Sequence, residues 1–256
     1  MNYKRSKYFT TLSKRKIKYL FIKKNSQITV VFFHGFMSDM IGAKPNAIQK
    51  FCKKQKLNFL KFEYSGHGRS SGKFIDGNIS KWTSDAKQLI RSKIKKNKNL
   101  IFIGSSMGSW IALNLFPTFK KKIKGFIGIS SAPEFLEELM WKKFNKKIKK
   151  TIMNKKIYHL ERGGFTYPLT KQLILDGRKN KVLNNKINLN IPIVLFHGTN
   201  DEVVPLNFSR KILKIFPKAE KKLFIIKGGG HSLSRKSDLK KICSKLNHII
   251  KSISFD

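Results

Sequence analysis

The sequence predicts an α/β fold in which helices cover both faces of a mostly parallel central sheet. Short runs of β-branched and aromatic residues alternate with helical segments along most of its 256 residues. The runs are apolar throughout, which is typical of parallel strands buried on both faces. With 40% hydrophobic residues the chain can build a core, and we expect residues 1–256 to form a single domain.

Six of these runs are predicted as buried strands, at 28–33, 57–62, 100–103, 123–129, 193–197 and 223–226. Helices are predicted near 43–55, 80–95, 107–116, 206–215 and 236–251, each between two strands or after the last one. The first 26 residues carry two apolar runs separated by SKRK, and we predict an antiparallel hairpin there, at the sheet edge.

One long segment interrupts the alternation of strands and helices. Residues 132–190 follow one predicted strand and precede the next, and their pattern is helical without an obvious strand. A long excursion from a parallel sheet usually covers a site. We therefore interpret about 132–190 as a helical cap over the carboxyl ends of the strands.

The chain is strongly basic, with 55 lysines and arginines against 14 acidic residues and a formal net charge of +41. The lysines are spread over almost every polar segment, and no nucleic-acid-binding motif accompanies them. We expect no specific nucleic-acid partner, and only weak, salt-sensitive binding to polyanions.

We expect no secretory signal, no membrane span and no zinc site. No apolar run approaches the roughly 18–20 residues that span a bilayer. The N-terminal segment lacks the apolar stretch of a secretory signal. Cys52 and Cys243 form no CxxC pattern, which argues against a disulfide framework and a zinc site. We expect a cytoplasmic protein without a metal ion or a cofactor.

The motif G-x-S-x-G occupies residues 104–108, directly after a predicted strand and before a predicted helix. In this context the motif forms a sharp turn that holds the serine hydroxyl above the end of the sheet. The predicted nucleophile is therefore Ser106 rather than its neighbour Ser105, which lacks the flanking glycines. The N–H of Met107, at the helix start, would face an oxyanion on the substrate.

A nucleophilic serine needs a base and an acid that orients the base. His231 follows the last predicted strand and three glycines, in a loop where side chains can converge on a site. Asp201 lies in the loop after the preceding strand, and we favour it over Glu202 because an apolar Val-Val-Pro sequence fixes the loop beyond it. The order Ser106, Asp201, His231 differs from that of trypsin-like and subtilisin-like enzymes.

A second oxyanion donor is expected in the loop after the first long strand. There Gly35 allows the backbone to turn its amides inward, and the N–H of Phe36 is the candidate partner of Met107. A further glycine-rich turn, EYSGHGRSSG at 63–72, follows a predicted strand. It does not contain the G-x-G-x-x-G motif at the start of a helix that binds phosphate groups. We interpret that turn as scaffold.

Together these motifs resemble the α/β-hydrolase superfamily over the whole chain. HGF, EYSGHGRSSG, GSSMG, HGTNDEVVP and GGGHSLS follow its order and spacing. The segments APEFLEELMW and YPLTKQLILDGR are similar to the branch that contains the mitochondrial palmitoyl-protein thioesterase, which also cleaves acyl glucuronides, and its bacterial relatives. The resemblance implies a serine hydrolase that cleaves acyl thioesters or carboxylic esters of small molecules or acylated proteins. Its catalytic triad would be Ser106, Asp201 and His231.

The cap also carries candidate substrate-binding residues. Four apolar positions share one face of a predicted helix and form either a wall of an acyl tunnel or the surface that docks the cap: Phe135, Leu136, Leu139 and Met140. Arg178 is a candidate partner for an anionic leaving group such as coenzyme A or glucuronate.

Other functions remain open at this stage. A serine peptidase or a small-ester carboxylesterase would use the same fold and triad. Against the peptidase, the cap shows no acidic pair placed to hold a peptide amino terminus. A non-catalytic binding protein is disfavoured because the triad residues and the oxyanion loop are all present.

Overall fold

The computed structural model describes residues 6–94, 98–162 and 164–253 of the chain. Its strands are β1 Lys7–Thr10, β2 Lys16–Ile22, β3 Ile28–Phe33, β4 Asn58–Phe62, β5 Asn99–Ser105, β6 Ile123–Ile129, β7 Ile157–Arg162, β8 Phe165–Thr170, β9 Pro192–Gly198 and β10 Glu220–Ile226. Its helices are α1 Ala43–Lys54, α2 Ile79–Lys93, α3 Met107–Asn114, α4 Phe116–Phe119, α5 Lys146–Lys155, α6 Lys171–Lys179, α7 Asn207–Lys214 and α8 Lys236–Ile253.

The central sheet has eight strands in the order β1-β2-β4-β3-β5-β6-β9-β10. The six neighbouring strands β4, β3, β5, β6, β9 and β10 pair in parallel. At the edge of the sheet, β1 pairs with β2, and β2 pairs with β4, in antiparallel fashion. The α/β prediction is therefore confirmed, including the hairpin at the edge of the sheet.

The core lies on both faces of the sheet because successive side chains of a strand point to opposite sides. In β3, for example, every residue is buried. Val31 and Phe33 pack in one cluster with residues of α2 and α3, whereas Val30 and Phe32 pack in the other with residues of α1 and α8. Burial on both faces explains why β3 shows an unbroken apolar run in the sequence.

The segment between β6 and β9 differs from its prediction in one respect. It contains a π-helical turn at Leu136–Met140, a 3₁₀ turn at Trp141–Lys143, and the helices α5 and α6. It also contains the antiparallel hairpin β7–β8, so the expectation of a segment without strands is wrong. The sequence carries the signal for the hairpin in Gly163-Gly164, which separates two runs of β-forming residues.

Candidate active site

Ser106 lies at the sharp turn between β5 and α3. Its backbone angles are φ 52° and ψ −120°, a combination that a residue with a side chain rarely adopts. The turn packs so closely that side chains two positions to either side are excluded. A Cβ on Gly104 would collide with the Ser109 backbone, and a Cβ on Gly108 would collide with the carbonyl of Phe33. The spacing of the two glycines therefore follows from backbone contacts on both sides of Ser106.

Ser106, His231 and Asp201 form one continuous hydrogen-bonded chain. The Oγ of Ser106 lies 3.1 Å from Nε2 of His231. The Nδ1 of His231 lies 2.9 Å and 3.0 Å from the two carboxylate oxygens of Asp201. The loops that carry these residues follow β5, β9 and β10, whose carboxyl ends lie at the same edge of the sheet.

Asp201 is held as a carboxylate by its surroundings. Its side chain is only 1% exposed, and one of its oxygens accepts the main-chain N–H groups of Val203 and Val204 at 3.0 Å and 2.8 Å. Burial by itself would raise the pKa of Asp201. The hydrogen bond and charge of His231 and the two N–H groups together outweigh burial and bring the pKa below its usual value.

The buried side chain of His197 contacts the loop that carries Asp201. Its Nε2 lies 2.8 Å from the carbonyl oxygen of Val204, and its Nδ1 lies 2.8 Å from Oγ of Ser209. The Nε2 is also 3.5 Å from a carboxylate oxygen of Asp201. The sequence analysis assigned no role to His197. Its position at the end of β9, directly before the loop that carries Asp201, could have indicated that it contacts this loop.

The two predicted oxyanion donors are the main-chain N–H groups of Phe36 and Met107. Within the described parts of the chain, neither N–H has a hydrogen-bond acceptor. The loop of Phe36 lies against the turn of Ser106, since a Cβ on Gly35 would stand 3.5 Å from the Cβ of Ser106. This geometry is compatible with two donors for an oxyanion beside Ser106.

A neutral histidine anchors this loop. Nδ1 of His34 lies 2.8 Å from the carbonyl oxygen of Gly35, and its Nε2 accepts the N–H of Tyr64 at 3.4 Å. Burial lowers the pKa of His34 to about 4, so the imidazole is uncharged near neutrality. Across a trans peptide the Gly35 carbonyl and the Phe36 N–H point in opposite directions. The His34 bond therefore directs the Phe36 N–H away from His34.

The candidate cap residues lie in two different environments. Phe135, Leu136 and Leu139 are buried in the core, and Met140 is partly buried against it. The ring of Phe135 packs edge-on at 5.3 Å from that of Phe36, so this segment contacts the loop that follows β3. Leu136 instead contacts α6, because a Cβ on Gly177 would stand 3.1 Å from its side chain.

Arg178 is engaged within the cap. Its Nε donates to Glu137 at 2.7 Å, and its guanidinium lies over the ring of Trp141 at 4.8 Å. Its role toward a leaving group stays a prediction. Glu137 and Glu138 form an adjacent acidic pair in this segment. Glu138, however, pairs with Lys142 at 2.6 Å, so both carboxylates have partners inside the cap.

A cavity of about 250 Å³ opens beside Ser106 and His231. Its walls come from the Phe36 loop, the start of α1 and the residues after His231. Lys44 belongs to this wall, and sequence reasoning missed it because nothing distinguishes it from the many other lysines in helical segments. Over residues 6–94, 98–162 and 164–253, no group of three or more His, Cys, Asp or Glu side chains is arranged to hold a metal ion.

Comparison with known proteins reveals a family and several relatives. The family model Hydrolase_4, described as serine aminopeptidase, S33, matches residues 24–172. The human mitochondrial palmitoyl-protein thioesterase ABHD10 is 27% identical over 233 residues, which cover 88% of this chain and 74% of that protein.

Solved structures resemble the whole chain. A protein from Agrobacterium vitis S4 superposes with a TM-score of 0.90 at 26% identity, covering 96% of this chain and 98% of that one. Est1E from Butyrivibrio proteoclasticus, solved with ferulic acid, has a TM-score of 0.80 at 20% identity, covering 96% and 98%. The latter likeness concerns the fold alone.

None of the described helices combines the length and the apolarity needed to cross a bilayer. The word mitochondrial belongs to the name of the ABHD10 relatives, and the cytoplasmic location expected from this sequence stays a prediction. Because the family model spans more than half of the chain, the chain belongs to the S33 serine aminopeptidase family, and it is a hydrolase enzyme of the α/β-hydrolase fold similar to the ABHD10 branch.

Proposed function

We propose that the protein hydrolyses acyl thioesters or carboxylic esters through a covalent acyl-enzyme, with Ser106 as nucleophile, His231 as base and Asp201 as the group that orients His231. One observation carries the proposal: the unbroken contact from Ser106 Oγ to His231 Nε2 at 3.1 Å and from His231 Nδ1 to Asp201 at 2.9 Å. A nucleophile, a base and an orienting acid in this relation are the requirement for serine-based acyl transfer.

The first half of the reaction forms the acyl-enzyme. The hydroxyl proton of Ser106 passes to Nε2 of His231 while Oγ bonds to the acyl carbon and the carbonyl electron pair moves onto oxygen. The N–H groups of Phe36 and Met107 stabilise that oxyanion, each by about 3–4 kcal/mol in comparable sites. The carbonyl then re-forms, the bond to the leaving sulfur or oxygen breaks, and that atom takes the proton from Nε2.

The second half of the reaction releases the acid. Water enters, gives a proton to His231 and attacks the acyl carbon of the Ser106 ester. The same two N–H groups stabilise the second oxyanion, and Oγ regains its proton when the acid leaves. Throughout, the carboxylate of Asp201 compensates the positive charge on His231, which is consistent with its lowered pKa.

The names of the relatives support the type of bond. Human ABHD10 is named as a palmitoyl-protein thioesterase. A small acyl compound or an acylated protein is therefore the substrate class that we propose for this chain. We also propose that residues 132–190 form the cap and that Phe135, next to Phe36, faces the acyl group.

The family description raises the alternative of a peptidase that recognises a free amino terminus. Such recognition needs a carboxylate without a partner near the site. Glu134 accepts two main-chain N–H groups of the cap at 2.8 Å, and Glu137 and Glu138 form ion pairs. We therefore favour acyl esters and thioesters over peptides.

The test compares Ser106→Ala with the matched variant Ser105→Ala. Substrates are p-nitrophenyl octanoate, S-octanoyl-N-acetylcysteamine and an aminoacyl p-nitroanilide. We expect Ser106→Ala to lose activity on the ester and thioester by a factor on the order of 10⁴ or more, and Ser105→Ala to stay within a few-fold. Retained turnover in Ser106→Ala contradicts the assigned nucleophile, and a preference for the anilide contradicts the substrate class.

A further inference from the structure

Lys44 lies in the wall of the cavity that contains Ser106 and His231. It is the second residue of α1 and is half-buried. Its ammonium group donates to the main-chain oxygen of Ser232 and, at 3.4 Å, to Oγ of Ser234. Both acceptors belong to the loop that immediately follows His231, so the charge of Lys44 lies on the His231 side of the cavity.

The charge of Lys44 has no counter-charge in the described part of the chain. Lys142 and Lys222, by contrast, form ion pairs with glutamates at 2.6 Å and 2.8 Å. Burial lowers the pKa of Lys44 to about 8, and no neighbouring carboxylate acts on it. A cation in the first turn of a helix also opposes the helix dipole. Neither an ion pair nor the helix dipole therefore explains a lysine at this position.

The carboxylate on the same cavity wall acts elsewhere. Asp39 accepts the N–H of Ile41 at 2.7 Å. Its charge acts on Lys61, whose pKa burial lowers to about 8 and Asp39 partly restores. An ammonium has three donors, and two of those of Lys44 have acceptors among the residues that the structure describes. One donor is left for a ligand in the cavity.

We propose that Lys44 determines specificity by binding a carboxylate on the leaving group of the substrate. This inference rests on the proposed function, in which His231 delivers its proton to the leaving atom, so the leaving group lies on the His231 side, where Lys44 stands. A cavity of about 250 Å³ is available for this group. It corresponds to the volume of about eight water molecules at about 30 Å³ each. The expected leaving group is a small thiol or alcohol of a few carbon atoms that carries the acid.

The competing explanation is that Lys44 only fastens the His231 loop to α1 through Ser232. A fastening role affects every substrate equally, because it acts through the position of His231. A binding role affects only substrates whose leaving group carries the anion. The two roles are therefore separated by a pair of substrates that differ in charge alone.

The experiment measures kcat/KM for the octanoyl thioester of 3-mercaptopropionate and for the thioester of its neutral carboxamide. The variants are Lys44→Met, Lys44→Arg and, as a control, Lys50→Met, which removes an exposed charge from the same helix. Salt at about 0.15 M limits the influence of the remaining net charge, because the screening length is then about 8 Å. The thioester of 2-mercaptoethyl phosphate tests whether a phosphate is preferred to a carboxylate.

We expect the wild type to prefer the carboxylate thioester over the carboxamide by about 10-fold or more. Lys44→Met should abolish the preference, Lys44→Arg should retain part of it, and Lys50→Met should leave it unchanged. Equal losses on both thioesters, or a wild type without preference, overturn the inference. A preference for the phosphate over the carboxylate overturns the assigned acid. A wild type that cleaves no thioester or ester contradicts the proposed function instead. If Lys44→Met fails to fold, the wild-type preference and the Lys44→Arg result decide.

Discussion

At position 106, glycine should give a more stable protein than alanine, although both variants lack the proposed nucleophile. At φ 52° and ψ −120°, Ser106 occupies a backbone conformation that costs a residue with a side chain about 1–3 kcal/mol. Glycine adopts that conformation without strain, but it loses about 0.5–1 kcal/mol more conformational entropy on folding. The difference predicts that Ser106→Gly is more stable than Ser106→Ala by about 1 kcal/mol, and by at most about 2.5 kcal/mol. Both variants lack the hydroxyl, so this comparison isolates the backbone.

The free energy of unfolding is measured by urea denaturation of the four variants Ser106→Ala, Ser106→Gly, Ser105→Ala and Ser105→Gly. Ser105 ends β5. There the glycine variant should be less stable than the alanine variant by about 0.5–1 kcal/mol. The reason is that glycine loses more conformational entropy on folding and a strand needs no positive φ. The sign of the alanine-to-glycine change should thus reverse between neighbouring serines. The same sign at both positions refutes the argument that the turn stores strain at the nucleophile.

Two further predictions concern Asp201 and His34. Asp201→Asn should lower kcat by about 10⁴-fold while leaving the fold intact, because the amide no longer orients the imidazole of His231 as the carboxylate does. A loss of less than 10-fold in steady-state assays would contradict that role. His34 is neutral in the folded protein, with a pKa lowered to about 4, and unfolding returns it to its ordinary 6.5. The unfolded state therefore binds more protons within that window, so the stability present above pH 6.5 is lost as the pH falls toward 4. The contribution of His34 to the free energy of unfolding falls by about 2 kcal/mol from pH 7 to pH 5. The urea midpoint should therefore decrease less between these two pH values for His34→Gln than for the wild type or the control His248→Gln.

Much of the fold was predictable because local patterns and tertiary structure agree. The run at 28–33 is apolar throughout because β3 is buried on both faces, and the predicted limits match the observed strand. The order of the motifs likewise predicts that the three candidate catalytic residues lie directly after β5, β9 and β10. Because parallel strands share one carboxyl edge, that order was enough to bring Ser106, Asp201 and His231 to the same place.

Other features depend on contacts that no local pattern encodes. The hairpin β7–β8 lies in a segment whose lysine-rich neighbours suggest helices, and only its two glycines signal the turn. The sequence predicts Arg178 as a partner for an anionic leaving group, whereas in the structure Arg178 forms an ion pair with Glu137. Lys44 is one cation among 55 lysines and arginines, and its place in the cavity arises from the contact between α1 and the loop after His231.

Identifying the serine that reacts with a fluorophosphonate tests the central claim most directly. The wild type, Ser106→Ala and His231→Gln are incubated with the probe, and the modified peptide is identified by mass spectrometry. Thermal melting confirms that each variant is folded. We expect an adduct on Ser106 in the wild type, none in Ser106→Ala and strongly slowed labelling in His231→Gln. An adduct on another serine, or a folded wild type that does not react, would contradict the assignment of Ser106 as the nucleophile.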